Sequence, residues 1–363
     1  MVRSFLLTFV IVAPLLAAEP LRICLYAGNR GSNAVHRQIL REAHAVHPRL
    51  FVIDGDVIKH DYGEWGEPEA VLEDYRREFG TPKNPLTLWP QGPGPAVFVI
   101  PGGYDEQFFL DLDLAEAADS SKSGRFPYEG TNELGVQLYQ AFNLEDMRIR
   151  VQAIPDIEAP LPISPYGDYL LVVGSGSRRE CALLMLYRTD RWGFRTDQID
   201  WADSILTDLR SVSPRLPLMV ISHDWTWFFP DSLDDGMIDG ALNGIRGSSP
   251  QLDRVQKQRL ALLLQRSRAD IALAADRHIY WAGIDSALLR INMAAGMCYD
   301  EDGRRVSLDN AWIEYAQDDT AMYVTAHIIE PPAGCGIHKE AAALGTVFQK
   351  TRTAGAVWRR INP

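Results

Sequence analysis

The chain has few of the residues that most often build thiol and metal sites, because only 8 histidines and 4 cysteines occur among its 363 residues. The cysteines show no CxxC or ladder spacing, and nothing around them indicates a catalytic thiol. We expect Cys24, which lies in an apolar run, to be a buried core residue. Cys298 and Cys335 could form a disulfide, but their spacing does not decide the pairing. Any metal or nucleophile site must therefore draw on a small set of side chains.

Basic residues are outnumbered, with 36 Lys and Arg against 48 Asp and Glu and a formal net charge of −12. The sequence contains no run of clustered Lys and Arg, so we predict that nucleic acid is not a partner. Hydrophobic residues make up 46% of the chain and charged residues 23%, which are ordinary values for a folded soluble protein. This composition excludes a disordered, collagen-like or coiled-coil chain.

Long apolar runs are lacking except at the N-terminus. Arg3 precedes an apolar run over residues 5–16, and two alanines follow Leu16. This pattern predicts a secretory signal peptide over residues 1–18 and a secreted or periplasmic protein, with an uncleaved N-terminal anchor as the alternative. The run is too short to cross a bilayer, and we predict no membrane span in the mature chain.

Short apolar runs typical of strands alternate with helix-like segments along the rest of the chain. This alternation predicts an α/β fold with two sheets. We expect one domain over residues 19–363, with insertions near 110–125 and 231–249, and we expect the segment beyond Ala295 to add strands to the second sheet. The strand-like runs are 21–26, 50–53, 96–100, 169–173, 182–187, 216–222, 270–274, 287–292, 311–315 and 322–328, and the helix-like segments are 35–46, 67–79, 197–211 and 252–267.

Polar clusters follow several of the predicted strands. Gly55-Asp56 comes after the second strand, His223 ends a later one, and Asp276-Arg277-His278 follows the next. In α/β sheets the carboxyl ends of parallel strands share one edge, where ligands collect. Carboxylate and imidazole groups gathered there would suit Zn, Fe or Mn.

The order of these clusters resembles that of the calcineurin-like metallophosphoesterases, including purple acid phosphatase relatives. That family has an Asp in the first turn, then GD, GNH, a lone His and GHxH. The corresponding elements here are Gly55-Asp56, Gly102-Gly103-Tyr104, His223, and Ala275-Asp276-Arg277-His278. The resemblance implies a four-layer α-β-β-α sandwich, in which two mixed sheets are flanked by helices, and a site for two metal ions.

The chain also departs from this family pattern at three positions. Gly28 stands where the family has its first Asp, and Gly103 and Tyr104 replace the Asn and His of GNH. The resemblance leaves four metal-ligand candidates, which are Asp56, His223, Asp276 and His278. Three protein ligands and water can hold one catalytic ion, so we expect at most one divalent ion (Mn, Fe, Zn or Mg) or none.

Further candidates have weaker signals. Tyr104 could donate a hydrogen bond to a phosphate oxygen, but its ordinary pKa near 10 makes it a poorer acid than the histidine it replaces. Arg30 could bind a phosphate with two parallel hydrogen bonds, or it could be a surface residue on a turn. His36, His44 and His47 lie in or beside the helix predicted over 35–46, and we expect them at the surface.

Two functions remain open from the sequence. The first is a hydrolase for phosphate esters that uses a one-ion or atypical site. The second is a non-catalytic family member, with weak or absent phosphoesterase activity. It would use the cleft at the strand ends to bind a phosphorylated small molecule, another ligand or a partner, or it would serve only as a scaffold. The glycines at 28 and 103 favour the second, because a glycine neither binds a cation nor neutralises its charge.

Overall fold

The structure is a computed structural model, and it describes residues 19–27, 33–55, 95–100, 102, 157–158, 162–164, 167–174, 176–187, 194, 196–223, 254–275, 280–293, 298–299, 305–306, 310–329 and 347–361. The strands in these residues are β1 (Leu21–Ala27), β2 (Leu50–Asp54), β3 (Ala96–Ile100), β4 (Tyr169–Val173), β5 (Cys181–Leu186), β6 (Leu218–Ser222), β7 (Ile271–Ala274), β8 (Trp281–Asp285), β9 (Leu288–Asn292), β10 (Cys298–Tyr299), β11 (Arg305–Val306), β12 (Asn310–Gln317), β13 (Ala321–Ile329), β14 (Val347–Thr351) and β15 (Arg359–Ile361). The helices are α1 (Asn33–His44), α2 (Thr196–Val212) and α3 (Arg254–Arg266).

The first sheet has seven strands in the order β15-β14-β13-β12-β1-β2-β3. Its strands β1, β2 and β3 are parallel, so all three end at the same edge. On the other side of β1, the strands β12 to β15 form an antiparallel meander. The mixed sheet therefore joins the N-terminal strands to the C-terminal part of the chain.

The second sheet has six strands in the order β4-β5-β6-β7-β9-β8. Its four central strands, β5, β6, β7 and β9, run parallel, and the outer strands β4 and β8 run antiparallel to their neighbours. We call the edge where the parallel strands of both sheets end the carboxyl edge, and the edge where those of the second sheet begin the amino edge.

Successive side chains of the central strands point to opposite faces of the sheet, and this alternation explains how the sheets and helices form layers. In β4, Tyr169 and Leu171 face a core shared with the first sheet, while Leu170 and Val172 face a core shared with α2 and α3. The Tyr169 hydroxyl donates to the Val99 carbonyl at 2.8 Å, which ties the two sheets directly together. Helix α1 lies against β1, where the Tyr26 hydroxyl bonds to His36. The predicted four-layer sandwich with two mixed sheets is thus confirmed.

The C-terminal strands lie in a different sheet from the one we expected. The strands β12 to β15 extend the first sheet rather than the second, because β12 pairs antiparallel with the open side of β1. The predicted core position of Cys24 is confirmed, since it is fully buried, and burial raises the pKa of its thiol well above the usual value. Residues 1–18, the two predicted insertions, the helix predicted over 67–79 and Cys335 lie outside the described residues.

Candidate functional site

The carboxyl edges of the two sheets meet at His223, directly after β6. Its ring Nδ1 lies 2.8 Å from the carbonyl oxygen of Asp54, the last residue of β2. A carbonyl only accepts hydrogen bonds, so Nδ1 carries the proton and the basic lone pair is on Nε2. This is the arrangement in which a backbone carbonyl orients a histidine whose other nitrogen binds a metal. Of the predicted metal-ligand candidates, His223 alone belongs to the described residues.

Gly55 makes the close approach of the two sheets possible. A Cβ atom at this position would lie 2.5 Å from Nδ1 of His223 and 2.6 Å from Cα of Gly102. Its backbone φ of +64° lies in the left-handed region that favours glycine. A side chain at position 55 would therefore push apart the ends of β2, β3 and β6.

Two of the remaining candidates directly follow described residues of this junction. The amide of Ala275 donates to the His223 carbonyl at 3.2 Å, which places the end of β7 beside His223. Gly55 and Ala275 precede Asp56 and Asp276 in the sequence. Asp56, Asp276, His278, Tyr104 and Arg30 themselves lie outside the described residues, and so do Gly28 and Gly103.

Asp54 is a carboxylate at the junction that sequence reasoning missed. It is fully buried, and its Oδ1 lies 3.8 Å from Nδ1 of His223. The predicted strand ended at residue 53, although Asp54 is the last residue of β2 and pairs with Ala27 and Ile100. An acidic residue at the end of an otherwise apolar strand was the available signal.

A second missed carboxylate, Asp168, lies at the carboxyl edge at the start of β4. Its Oδ1 accepts hydrogen bonds from the Tyr187 amide at 2.7 Å and from Gln198 of α2 at 2.5 Å. Its Oδ2 accepts from the Ser164 hydroxyl at 2.6 Å. Burial raises the pKa of Asp168 to about 7, although these hydrogen bonds lower it. This network fastens α2 to the ends of β4 and β5.

The expectation that three histidines lie at the surface is wrong for one of them. His36 of α1 is fully buried, and its Nδ1 lies 2.5 Å from the Tyr26 hydroxyl of β1. The hydrogen bond satisfies a polar ring in the core, where an unpaired one would be costly. His47 is exposed and His44 is partly exposed, as predicted.

The imidazole and the carboxylate described at the junction are side-chain types that bind cations, but they make up only part of a metal site. One imidazole and one carboxylate lie at the junction, and divalent transition metals bind both. Within the described ranges, no group of three or more His, Cys, Asp or Glu could hold a metal ion.

No helix in the described part of the chain is long and apolar enough to span a membrane.

No family model and no curated protein matches this chain. Among solved structures, a dimetal phosphatase from Danio rerio is 12% identical, with 85% of this chain and 96% of that chain covered and a TM-score of 0.45. A conserved uncharacterised protein from Streptococcus pneumoniae, described as a predicted phosphoesterase, is 12% identical, with 88% and 97% covered and a TM-score of 0.31.

A third solved structure, GAP50 of Plasmodium, is described as the anchor in the inner membrane complex. It is 10% identical, with 89% of this chain and 93% of that chain covered and a TM-score of 0.42. These likenesses are distant. The α/β sandwich that the resemblance implied is confirmed by this chain's own strand order.

Proposed function

We propose that this chain is an exported protein of the metallophosphoesterase fold that binds a phosphorylated small molecule at the carboxyl edge and has weak or no phosphoesterase activity. The observation that carries the proposal is the position of His223, which brings the second sheet onto the Asp54 carbonyl and Gly55 of the first. A histidine so oriented suits a metal site, while the sequence has Gly28, Gly103 and Tyr104 where the family pattern has metal ligands or a histidine.

The junction supports a common location for the predicted ligands. Asp56 follows Gly55 and Asp276 follows Ala275, and consecutive Cα atoms are only about 3.8 Å apart. Nε2 of His223 would be the metal-binding atom, with carboxylates from Asp56 and Asp276 and the imidazole of His278 as further ligands. A divalent ion held there would polarise a phosphoryl oxygen and lower the pKa of a bound water.

The proposal of low activity comes from Gly28 and Gly103. Two-metal phosphoester hydrolysis needs both ions to clamp the attacking and leaving oxygens. In the family pattern the residues at these two positions each bind one ion, and glycine has no side chain to do so. Tyr104 at the position of a family histidine removes an acid with a pKa near neutrality.

The second candidate function is an active hydrolase with one ion. The protonation of His223 at Nδ1 favours it, because this tautomer presents Nε2 as a ready donor atom. The two candidates differ in metal content and turnover, and both quantities are measurable on the purified protein.

The experiment compares His223→Asn with His47→Asn. The side-chain amide that His223→Asn introduces can still donate to the Asp54 carbonyl in place of Nδ1, but it has no atom at the position of Nε2. His47 is exposed with a φ of 49°, which asparagine tolerates, so His47→Asn is the matched control. Metal content and hydrolysis of p-nitrophenyl phosphate and bis-p-nitrophenyl phosphate are measured for both variants and the unmodified chain.

We expect substoichiometric or weakly held metal that His223→Asn removes and His47→Asn leaves, with little or no turnover. Near-stoichiometric metal with turnover that Asp56→Asn abolishes would contradict low activity and establish the one-ion hydrolase. If no divalent ion binds and no ester is hydrolysed, the hydrolase is excluded. Metal retained in His223→Asn would place the ion elsewhere.

A further inference from the structure

A cavity of about 750 Å³ opens at the amino edge of the second sheet, at the opposite end of β6 from His223. Its walls come from the loops that precede β6 and β7, the turn between β8 and β9, and the segment that begins at Lys350 of β14. Small-molecule sites usually have volumes of roughly 300–1,000 Å³. The five residues of β6 separate the cavity from the carboxyl edge by roughly 16 Å.

The described lining of this cavity is strongly basic, although the whole chain carries a formal charge of −12. The described lining contains two carboxylates and six cationic side chains, namely Arg210, Arg215, Arg268, Arg290, Lys350 and Arg352. Each carboxylate already has a cationic partner. Asp270 lies 2.5 Å from Nζ of Lys350, and Asp285 lies 2.7 Å from Arg290. We call this space the basic cavity.

Two of the four remaining cations have structural roles. Arg210 donates to the carbonyls of Leu216, Ser267 and Arg268, so it joins the two loops that form one wall. Arg352 donates to the Asp318 carbonyl at 3.1 Å. Both guanidinium groups thus stiffen the walls of the basic cavity and also contribute positive charge.

Arg215 and Arg268 remain. Both are exposed, and neither side chain makes a hydrogen bond or ion pair with another described residue. Arg268 occupies a position where an arginine is unfavourable, because its φ of 51° lies in the left-handed region. The amides of Arg268 and Ala269 bond back to Gln265 and Leu264, which closes α3 in the way that usually uses glycine at this position. The backbone at Arg268 is therefore strained in a way that a glycine at this position would not be.

The rest of the lining suits a ligand with an oxyanion and a small apolar body. Hydroxyls come from Ser286, Thr351 and Thr353, and the small residues Ala354 and Gly355 leave room for close approach. Leu216, Leu264 and Met322 provide apolar surface. Guanidinium groups bind phosphate through two parallel hydrogen bonds, more specifically than an ammonium does.

We propose that the basic cavity is a binding site for a small molecule with two or more phosphate charges, in which Arg215 and Arg268 bind the anion. A multivalent oxyanion between these guanidiniums would offset the repulsion among like charges on one wall. The site needs no metal ion, and the proposal does not depend on the proposed function of the carboxyl edge.

The test is calorimetric titration of the full chain with inorganic pyrophosphate in EDTA, which removes any metal-dependent binding at the carboxyl edge. We expect one site, weakened at least tenfold by Arg215→Gln or by Arg268→Gly and lost in the double variant. Arg268→Gly also relieves the left-handed backbone, so it removes the cation without lowering stability. Thermal unfolding of each variant verifies that it is folded.

Three controls define the site. Arg266→Gln removes an exposed arginine two residues before Arg268 that does not line the cavity. His47→Gly relieves a left-handed residue far from it in the sequence. His223→Asn alters the carboxyl edge. All three should bind pyrophosphate like the unmodified chain.

Four results would overturn the proposal. The first is no binding of pyrophosphate at millimolar concentration. The second is equal weakening by Arg266→Gln or His47→Gly, which would mean a non-specific charge effect. The third is loss of binding in His223→Asn, which would place the anion at the carboxyl edge. The fourth is tighter binding of citrate or of a poly-glutamate peptide, which would replace a phosphate ligand with a carboxylate ligand or an acidic protein.

Discussion

The carboxyl edge and the amino edge of the second sheet differ in the charge of the side chains that the described residues place there. At the carboxyl edge, Gly55 allows backbone and ring atoms to come into close contact, and Asp54 and His223 supply a carboxylate and an imidazole. At the amino edge, residues of both sheets line a cavity rich in arginine. One edge suits cations held by inward-facing donors, and the other suits anions. The chemistry of a strand end thus depends on the loops that it carries as well as on the sheet.

The largest effect on stability should come from adding a side chain at Gly55, where the two sheets are in close contact. We expect Gly55→Ala to lower the free energy of unfolding by about 3 kcal/mol, since the new methyl group meets His223 and Gly102 and φ is positive. Gly355→Ala is the matched control, because Gly355 has a φ of +77° but nothing within 4 Å of the added atom. It should cost about 1 kcal/mol. Equal losses in denaturant unfolding would show that the close contact contributes nothing.

The pH dependence of stability tests the buried carboxyl at the same edge. The pKa of Asp168 rises from 3.8 in the unfolded chain to about 7 in the folded state, mainly through burial. The folded state therefore binds this proton more tightly, and the resulting stability is full below pH 3.8 and lost as the pH rises through 7. Between pH 5 and 8 the loss should be roughly 2 to 3 kcal/mol.

Asp168→Asn should remove this pH dependence. Its amide can accept from Tyr187 and Gln198 through oxygen and donate to Ser164 through nitrogen, as a protonated carboxyl would. Asp168→Ala should instead be less stable at every pH, because buried donors lose their acceptor. A slope that persists in Asp168→Asn would assign the titration to another group.

Restoring the missing ligands should strengthen cation binding at the carboxyl edge. We expect Gly28→Asp with Gly103→Asn to lower the Kd for Mn²⁺ at least tenfold, equivalent to about 1.4 kcal/mol. Competition with a chelator measures the change, and Gly355→Asp is the control for an added carboxylate elsewhere. An unchanged Kd would mean that the motif positions are misaligned.

The smallest effect should be a gain at the amino edge. Arg268→Gly should raise the free energy of unfolding by about 1 kcal/mol, because glycine adopts the left-handed backbone without a clash. His47→Gly should show a similar gain after α1. A loss of stability in Arg268→Gly alone would indicate that the Arg268 side chain supports the fold rather than a ligand.

The described strands that are buried on both faces were all predicted from the sequence. The residues of β2, β4, β5, β6 and β7 are buried throughout, so each reads as a continuous apolar run. The strands β8, β14 and β15 were missed because their residues are partly or fully exposed. A local sequence pattern also does not show which strand will be the neighbour in a sheet. For this reason the sheet that contains β12 was predicted wrongly.

The candidate site was predictable to the extent that it follows buried strands. His223 stood out because it ends an apolar run. Asp168 did not, because its partner Gln198 is 30 residues away in the sequence. The basic cavity could not be predicted at all, since its arginines come from positions between 210 and 352 and form no cluster along the chain.

The pairing of β1 with β12 has a consequence for synthesis of the protein. Arg22 and Glu314 form an ion pair across these strands, although they are 292 residues apart. At roughly 5–20 residues per second, a ribosome needs roughly 15 to 60 s to translate the stretch between them. Throughout that time one side of β1 has no native neighbour, so a chaperone that binds extended segments would have its longest opportunity at the first strand.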